Sequence, residues 1–228
     1  MTEADLTAIW LTMKLATATT LLLIAGGTPI AWWLARTSSK IRILVEPVVA
    51  LPLVLPPTVM GFYLLIFFAP NGWLGHTWLM ITGSPLAFTF SALVLGSFFY
   101  SLPFYVQPLQ VAMESLEETQ LEAAATLGSG PIDRFFSVVF PLCKRGFVTA
   151  TCLAFAHTVG EFGIVLMIGG NIPGETRVVS IAIYDHVESL QYANAHILAT
   201  AMLLFCFLLL LIIYTTNRRF NYRLVQAG

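Results

Sequence analysis

The chain has 228 residues, of which 57% are hydrophobic and 10% are charged, and its formal net charge is −1. A soluble domain is usually about 25% charged and about 45–50% apolar, so this composition excludes a disordered chain, a nucleic-acid-binding protein and an ordinary cytosolic enzyme. It predicts instead an integral membrane protein with several spanning segments.

Five stretches of the chain are apolar and long enough to cross a bilayer, whose hydrocarbon core needs about 20 helical residues. They cover residues 10–35, 47–69, 86–112, 146–169 and 195–217. The first ten residues include two acidic residues and no Lys or Arg, which is not typical of a secretory signal, so we expect the first stretch to be retained. The sequence therefore predicts an all-α integral membrane fold of about five transmembrane helices.

The distribution of Lys and Arg predicts how these helices are oriented. Segments outside the membrane alternate between its two sides, and those on one side hold nine of the eleven basic residues. These nine are Arg36, Lys40, Arg42, Arg134, Lys144, Arg145, Arg218, Arg219 and Arg223. Because basic segments favour the cytoplasmic side, we predict a periplasmic N-terminus and a cytoplasmic C-terminus.

The second apolar stretch contains four prolines, Pro47, Pro52, Pro56 and Pro57. Each proline removes a backbone donor and disturbs the preceding helical turn. Inside a bilayer the carbonyl groups that are freed need another partner or a water-filled cavity. The stretch is therefore predicted to be a broken helix that faces protein or a pore, although a kink that serves only helix packing would give the same pattern.

Residues 113–145 form a polar interruption between the third and fourth stretches. Glutamates are frequent in its first part, where helix propensity is high, and Gly128 follows as a residue suited to a left-handed helix cap. A Ser-Gly-Pro turn is expected at residues 129–131, and a second short helix is expected to begin at Ile132. The loop is thus predicted to be a pair of short helices outside the membrane.

The spacing of residues in this loop resembles a family motif. Glu122, Ala123 and Ala124 are followed after three residues by Gly128, and Pro141 ends the pattern. The arrangement resembles the EAA loop of ABC importer permeases, although Val and Phe occupy two positions where the family has Ile and Leu. The resemblance implies that the loop forms a coupling helix that docks in a groove on a cytoplasmic ATPase. The alternative is a generic amphipathic linker.

The resemblance extends over nearly the whole chain. The opening segment IWLTMKLATATTLLLIAGGTPIAWWLAR resembles the first core helix of MetI-like, or type I importer, permeases. The segments LPLVLPPTVMGFYLL and HTVGEFGIVLMIGGNIPGETRVVSIAIYDHVE resemble molybdate permease subunits, and sulfate permeases share part of the second segment. This implies a MetI-like permease that carries molybdate across the bacterial inner membrane, with tungstate or sulfate/thiosulfate as alternative substrates.

The same resemblance implies the partners of the chain. Permeases of this type work with two cytoplasmic ABC ATPase subunits, which hold the ATP and Mg²⁺, and here with a periplasmic molybdate-binding protein. The chain has no internal repeat, so the partner permease is expected to be a second copy of itself. Nucleic acid is not expected among its partners.

The sequence contains no motif for chemistry of its own. The phosphate-binding pattern GxxxxGK[ST] and the metal-binding pattern HExxH do not occur. The three cysteines lack the spacing of a disulfide framework or a zinc site. We therefore predict a non-catalytic subunit without a cofactor or metal. A stand-alone secondary carrier would be expected to contain inverted repeats, and an intramembrane enzyme would need a catalytic set that the sequence lacks.

Five residues of the second and fourth stretches are candidates for the translocation pathway or its gate. They are Pro56, Pro57, Gly160, Glu161 and Gly163. An ionisable residue within a span is costly and usually marks a functional or paired position. Because a charged Glu161 would repel an oxyanion, we expect it to be neutralised or hydrogen-bonded, with Lys14 or Arg177 as candidate partners.

The polar segment at residues 170–195 is the candidate docking surface for a binding protein. It is the largest loop predicted on the periplasmic side, and it is expected to be partly helical. Asn171, Pro173 and Arg177 are its candidate contact residues. A loop that is merely exposed to solvent would have a similar composition.

Overall fold

The computed structural model of the chain describes residues 2–225, and within them the side chains of all but residues 212, 213 and 216–225. Every regular element in this range is a helix, as the sequence predicts. The helices are α1 (Glu3–Arg36), α2 (Arg42–Ala50), α3 (Pro57–Phe68), α4 (Trp73–Thr82), α5 (Phe90–Glu114), α6 (Glu118–Thr126), α7 (Pro131–Leu142), α8 (Lys144–Val159), α9 (Gly163–Gly169), α10 (Val179–Glu188) and α11 (Tyr192–Val225). A 3₁₀ turn (Leu51–Leu53) extends α2, and α7 contains a π-helical segment (Phe135–Val139).

Three helices are long and apolar enough to cross a membrane: α1, α5 and the Tyr192–Leu211 part of α11. Two further pairs of helices are long and apolar enough to cross a membrane when each bent pair is taken as one span. The chain turns by 111° between Arg42–Leu53 and α3, and by 79° between α7 and α8. The described part of the chain therefore contains three to five candidate spans, and the predicted number is the upper one.

Two of the predicted stretches are not continuous helices. The stretch at residues 47–69 is divided at residues 54–56, where the prolines were expected to break it. The stretch at residues 146–169 is also divided, because residues 160–162 separate α8 from α9. Helix α4 was not predicted, and it occupies part of the loop that was expected after the second stretch.

Helices α1 and α5 pack closely because glycine faces a large aromatic residue. A Cβ atom added at Gly27 would lie 2.7 Å from Cδ1 of Tyr105, and one added at Gly26 would lie 3.4 Å from the Phe98 ring. The Tyr105 side chain is fully buried, and its hydroxyl is 2.9 Å from Oγ1 of Thr28. Small residues permit this kind of close packing between membrane helices.

The first turn of α1 is fastened to α10. Thr2 and Asp5 form a capping box in which the Asp5 carboxylate accepts the Thr2 amide at 2.7 Å. The same carboxylate lies 2.9 Å from Nε2 of His186 in α10. Two turns further along α1, Thr12 accepts a hydrogen bond from the Val179 amide at 2.9 Å. Helix α10 is therefore held against the N-terminal part of α1.

Helix α9 is buried between α3 and α5. A Cβ atom added at Gly61 of α3 would lie 2.8 Å from Cβ of Met167, and one added at Gly96 of α5 would lie 2.2 Å from Cδ1 of Ile168. Ile164 and Ile168 have no exposed surface. Short as it is, α9 is therefore an integral part of the hydrophobic core and not a surface loop.

Candidate functional site

The loop between α5 and α7 is built as the sequence predicts. Helix α6 is followed by Gly128, whose φ of +87° lies in the left-handed region. The Ser129 amide returns to the Ala124 carbonyl at 3.1 Å and the Gly128 amide returns to Ala125 at 3.0 Å, which satisfies the end of the helix. A side chain other than glycine would strain this turn, so the prediction of a glycine cap is confirmed.

The loop and the adjoining helix α7 also present an apolar surface that was not predicted from the sequence. Leu127 is 87% exposed, Ile132 is 76% exposed and Phe136 is 64% exposed. We call these three residues the coupling patch. Large apolar side chains grouped on an otherwise polar segment usually mark a contact with another protein. The signal in the sequence was Leu127 and the phenylalanine pair within a loop that is otherwise rich in charge.

The predicted motif residues lie on both helices of this loop. Glu122 and Ala123 are exposed on α6, and Ala124 is partly buried. Pro141 is exposed near the end of α7. None of the α6 side chains is fully buried within the described chain, so most of the helix is available to a partner.

Two arginines connect the end of α5 and the start of the loop to helices α1 and α2. Nη2 of Arg36, at the end of α1, donates to the Met113 carbonyl at 3.0 Å and to the Leu116 carbonyl at 3.1 Å. Arg42 of α2 forms ion pairs with Glu46 at 2.7 Å and with Glu114 at 2.6 Å. A displacement of α6 would therefore be transmitted to α1 and α2.

We expect an Arg36→Met substitution to loosen this connection. Each hydrogen bond from a charged group contributes about 1.5–3 kcal/mol, so the loss of both bonds should lower the free energy of unfolding by about 3 kcal/mol or more. Denaturation of the purified protein in an SDS titration measures this change. Lys40→Met is the matched control, because Lys40 is exposed in the same segment. Equal stability of the two variants would contradict the role of Arg36.

The two chain breaks contact each other at the surface of the described chain. A Cβ atom added at Gly163, the first residue of α9, would lie 2.7 Å from Cβ of Pro57, the first residue of α3. Pro56 and Gly160 are exposed beside this contact. The structure thus brings Pro57 and Gly163 together, and it places the other predicted pathway residues at the same two breaks.

Glu161 is buried behind the breaks without a cation. Its side chain is 5% exposed, and neither carboxylate oxygen has a hydrogen-bond partner in the described part of the chain. The expectation that Lys14 or Arg177 neutralises it is wrong. The Lys14 ammonium lies 4.4 Å from the centre of the Phe90 ring, and Arg177 pairs with Asp185.

Neutral hydroxyl groups surround this position. The buried Ser97 hydroxyl lies beside the Glu161 side chain, and the Ser180 hydroxyl donates to the Glu161 carbonyl at 2.6 Å. Ser101 of α5 lies 2.9 Å from Nδ1 of His157 and 2.9 Å from the Thr158 hydroxyl. The region is polar but, in the described chain, free of Lys and Arg contacts.

His157 is held by α5. Its ring stacks on Phe104 with centroids 3.8 Å apart and lies 4.8 Å from the ring of Tyr100. Within the described residues, no three His, Cys, Asp or Glu side chains are grouped so that they could hold a metal ion.

The segment that precedes α10 is organised by one acidic residue. Nδ2 of Asn171 lies 2.8 Å from both carboxylate oxygens of Asp185, and Arg177 forms an ion pair with the same carboxylate. Thr176 is buried and donates to the Gly169 carbonyl at 2.7 Å. Pro173 is exposed at the tip. Two of the three predicted docking residues therefore also shape the loop.

Comparison with known proteins gives a consistent result. Residues 27–225 match the family described as “Binding-protein-dependent transport system inner membrane component”. The molybdenum transport system permease protein ModB of Azotobacter vinelandii is 57% identical over 218 residues, which cover 96% of each chain. The probable sulfate transport system permease protein cysT of Nephroselmis olivacea is 36% identical over 85% of this chain and 69% of the relative.

The fold has a counterpart among solved structures. A chain of the MetNI methionine ABC transporter, solved in inward-facing conformations, superposes with a TM-score of 0.71. The match covers 96% of this chain and 99% of that chain at 15% sequence identity. At this identity the similarity establishes the MetI-like fold alone.

Proposed function

This chain belongs to the family of inner membrane components of binding-protein-dependent transport systems, and on that premise we propose how it conducts its substrate. It is the permease subunit of an ATP-driven molybdate importer and a multi-pass inner membrane protein. As a permease it is not an enzyme and carries no cofactor of its own. It works in a complex with an ATPase and a periplasmic binding protein. The high identity to the Azotobacter permease carries the molybdate assignment.

We propose that the pathway passes the two chain breaks. Molybdate is a dianion, and a cage of fixed cations would bind it too tightly for release. Ser97, Ser101 and Thr158 beside the breaks are buried and neutral, so they add no positive charge that would retain an oxyanion passing the breaks. Glu161 fits this arrangement if it is uncharged, because a buried carboxylate without a cation is strongly disfavoured.

We propose that the coupling patch and the α6 residues Glu122–Ala124 dock on the ATPase. This places α6 and the basic segments in the cytoplasm and α7 at the cytoplasmic surface of the membrane, and it places the N-terminus and residues 170–195 in the periplasm. The exposure of most of α6 supports the assignment. The hydrogen bonds of Arg36 and the ion pairs of Arg42 then transmit movement of the ATPase to α1 and α2.

We propose that a second copy of this chain completes the pathway. One copy contains one coupling loop, and its chain breaks are exposed on one side at Val54, Pro56 and Gly160. Val54 is 83% exposed although it is apolar and directly precedes the break. A second copy that faces this side would enclose the breaks of both chains, with one ATPase subunit beneath each copy.

The substrate assignment can be tested through the binding protein. The purified complex should hydrolyse ATP faster when a periplasmic binding protein loaded with molybdate is added than when the unloaded protein is added. Tungstate and sulfate are the competing ligands in the same assay. Stimulation by the sulfate-loaded protein alone would show that the chain belongs to a sulfate importer.

We also expect the loop around Asp185 to matter for this stimulation. An Asp185→Ala substitution removes the partner of both Asn171 and Arg177, so the segment before α10 should lose its fixed shape. The affinity of the complex for the binding protein should fall by about tenfold, as expected for the loss of about 1.4 kcal/mol. Titration of binding protein against ATPase rate measures this affinity.

Glu175→Ala is the matched control for this substitution. Glu175 is an exposed acidic residue of the same loop, and its side chain makes no hydrogen bond or ion pair among those found in the described chain. Its removal changes the loop charge by the same amount. An equal loss of affinity in both variants would show that charge, and not the fixed shape of the loop, governs docking.

A further inference from the structure

Two adjoining cavities between α1 and α7 lie outside the proposed pathway. The larger one is a groove of about 550 Å³ that is lined by apolar side chains, among them Ile24, Trp32, Phe135 and Phe140. Its one hydroxyl group, that of Thr28, already forms a hydrogen bond with the Tyr105 hydroxyl. We call this cavity the apolar groove. It offers almost no polar contact to an occupant.

The apolar groove runs along one leaflet of the membrane. Its α1 residues extend from Ile24 to Trp32, a length of about 12 Å at 1.5 Å per residue. One leaflet contributes about 15 Å to the hydrocarbon core. Trp32 at one end fits the headgroup level, where tryptophan is enriched. The groove therefore has the orientation and depth of a hydrocarbon chain in that leaflet.

The second cavity lies at the tryptophan end and is basic. This pocket of about 160 Å³ shares Trp32 and Phe135 with the groove and is also lined by Arg134. Nε of Arg134 is buried and has no hydrogen-bond partner, and no carboxylate of the described chain forms a salt bridge with this residue. The neighbouring Asp133 accepts a hydrogen bond from Ser137 instead.

A second guanidinium group, that of Arg36, lies against Trp32 but does not line the pocket. The Arg36 guanidinium lies 5.4 Å from the centre of the Trp32 ring, and its Nε is likewise buried without a partner. A buried donor on a charged group is costly when it is left unpaired. The basic pocket therefore lacks an anion that would accept a hydrogen bond from Arg134.

We propose that the groove and the pocket together bind one anionic phospholipid, with an acyl chain in the apolar groove and the phosphate at Arg134. The charge of the pocket favours an anionic headgroup, and its continuity with a groove of leaflet depth favours a lipid over a soluble anion. Ile132 and Phe136 line the groove and also belong to the coupling patch. A bound lipid would therefore hold α7 in the position that the ATPase meets.

The proposal predicts selective lipid retention by the assembled transporter. The complete complex is reconstituted in bilayers of equal parts phosphatidylglycerol and phosphatidylcholine, and the lipids that remain bound are counted by native mass spectrometry. The wild-type complex should retain phosphatidylglycerol preferentially. Arg134→Gln should lower this preference by about tenfold, because one charged hydrogen-bond donor is lost. Arg134→Lys should keep most of it.

The apolar half of the site is tested separately. Ala25 is exposed and faces the groove, so Ala25→Trp should fill it and remove the bound lipid of either headgroup without disturbing the core. Lys40→Gln removes an exposed charge from the segment between α1 and α2. This residue lies outside both cavities, so the substitution should leave lipid retention unchanged. Thermal denaturation of each complex verifies that the variants remain folded.

Three results would overturn the proposal. One is unchanged phosphatidylglycerol preference in folded Arg134→Gln, and another is an equal loss in Lys40→Gln. The third is disulfide cross-linking between two copies through Ala25→Cys, which would show that a protein segment fills the groove. None of these results depends on which anion is transported, so failure of this proposal is distinguishable from failure of the molybdate assignment.

Discussion

A Leu127→Glu substitution is expected to detach the ATPase from the permease while leaving the permease folded. Leu127 is 87% exposed, so the substitution removes no contact within the chain. In the complex, burial of a leucine contributes about 1.5–3 kcal/mol, and a glutamate in the same contact adds a desolvation penalty. The affinity for the ATPase should therefore fall roughly 100-fold. Co-purification and ATPase titration against permease in detergent measure this loss.

The matched control for Leu127→Glu is the same substitution at Leu190. Leu190 is 72% exposed and follows α10, at the opposite end of the proposed topology. Leu190→Glu should leave ATPase affinity unchanged. If Leu190→Glu released the ATPase and Leu127→Glu did not, both the coupling patch and the proposed orientation would be wrong.

A Glu161→Lys substitution is expected to prevent assembly. The side chain is 5% exposed and has no partner of either charge in the described chain, and the effective penalty for burying an unpaired ion is several kcal/mol. Glu161→Gln should be tolerated, because an uncharged carboxylic acid and a carboxamide have the same shape and both offer a donor and an acceptor. Size-exclusion profiles and thermal denaturation of the purified complexes separate the two outcomes.

The pair of variants also tests the charge of Glu161. If the native group were an ionised carboxylate paired with a cation, Glu161→Gln would leave that cation buried and unpaired, and it would destabilise the complex by about 3–5 kcal/mol. Stability close to that of the wild-type protein supports the uncharged group. A large loss of stability in Glu161→Gln would contradict the description of this region as free of cations.

Most of the helical framework follows from the sequence because lipid-facing helices leave a simple apolar pattern. Gly128 could be placed in a left-handed cap since few residues other than glycine end a helix in that way. The break between α8 and α9 was harder to foresee, because the apolar run continues through it. Within that run, the ionisable residue Glu161 was the sign that the helix is interrupted.

The contacts of single charged residues were the least predictable feature. Arg36 and Arg42 were read only as markers of the cytoplasmic side, yet in the structure they bind backbone carbonyls and two glutamates around the end of α5. Arg177 was considered as a partner for Glu161, but it pairs with Asp185 eight residues later. Such pairings depend on how helices pack, and a hydropathy pattern does not carry that information.

The most direct test of the central claim is molybdate uptake by proteoliposomes that contain this permease, its ATPase and a periplasmic binding protein. With ATP enclosed, labelled molybdate should accumulate, and unlabelled molybdate should compete more effectively than sulfate. Without ATP, or with Leu127→Glu, accumulation should fall to the level of empty liposomes. Accumulation that continues without ATP would contradict the account and indicate a secondary carrier.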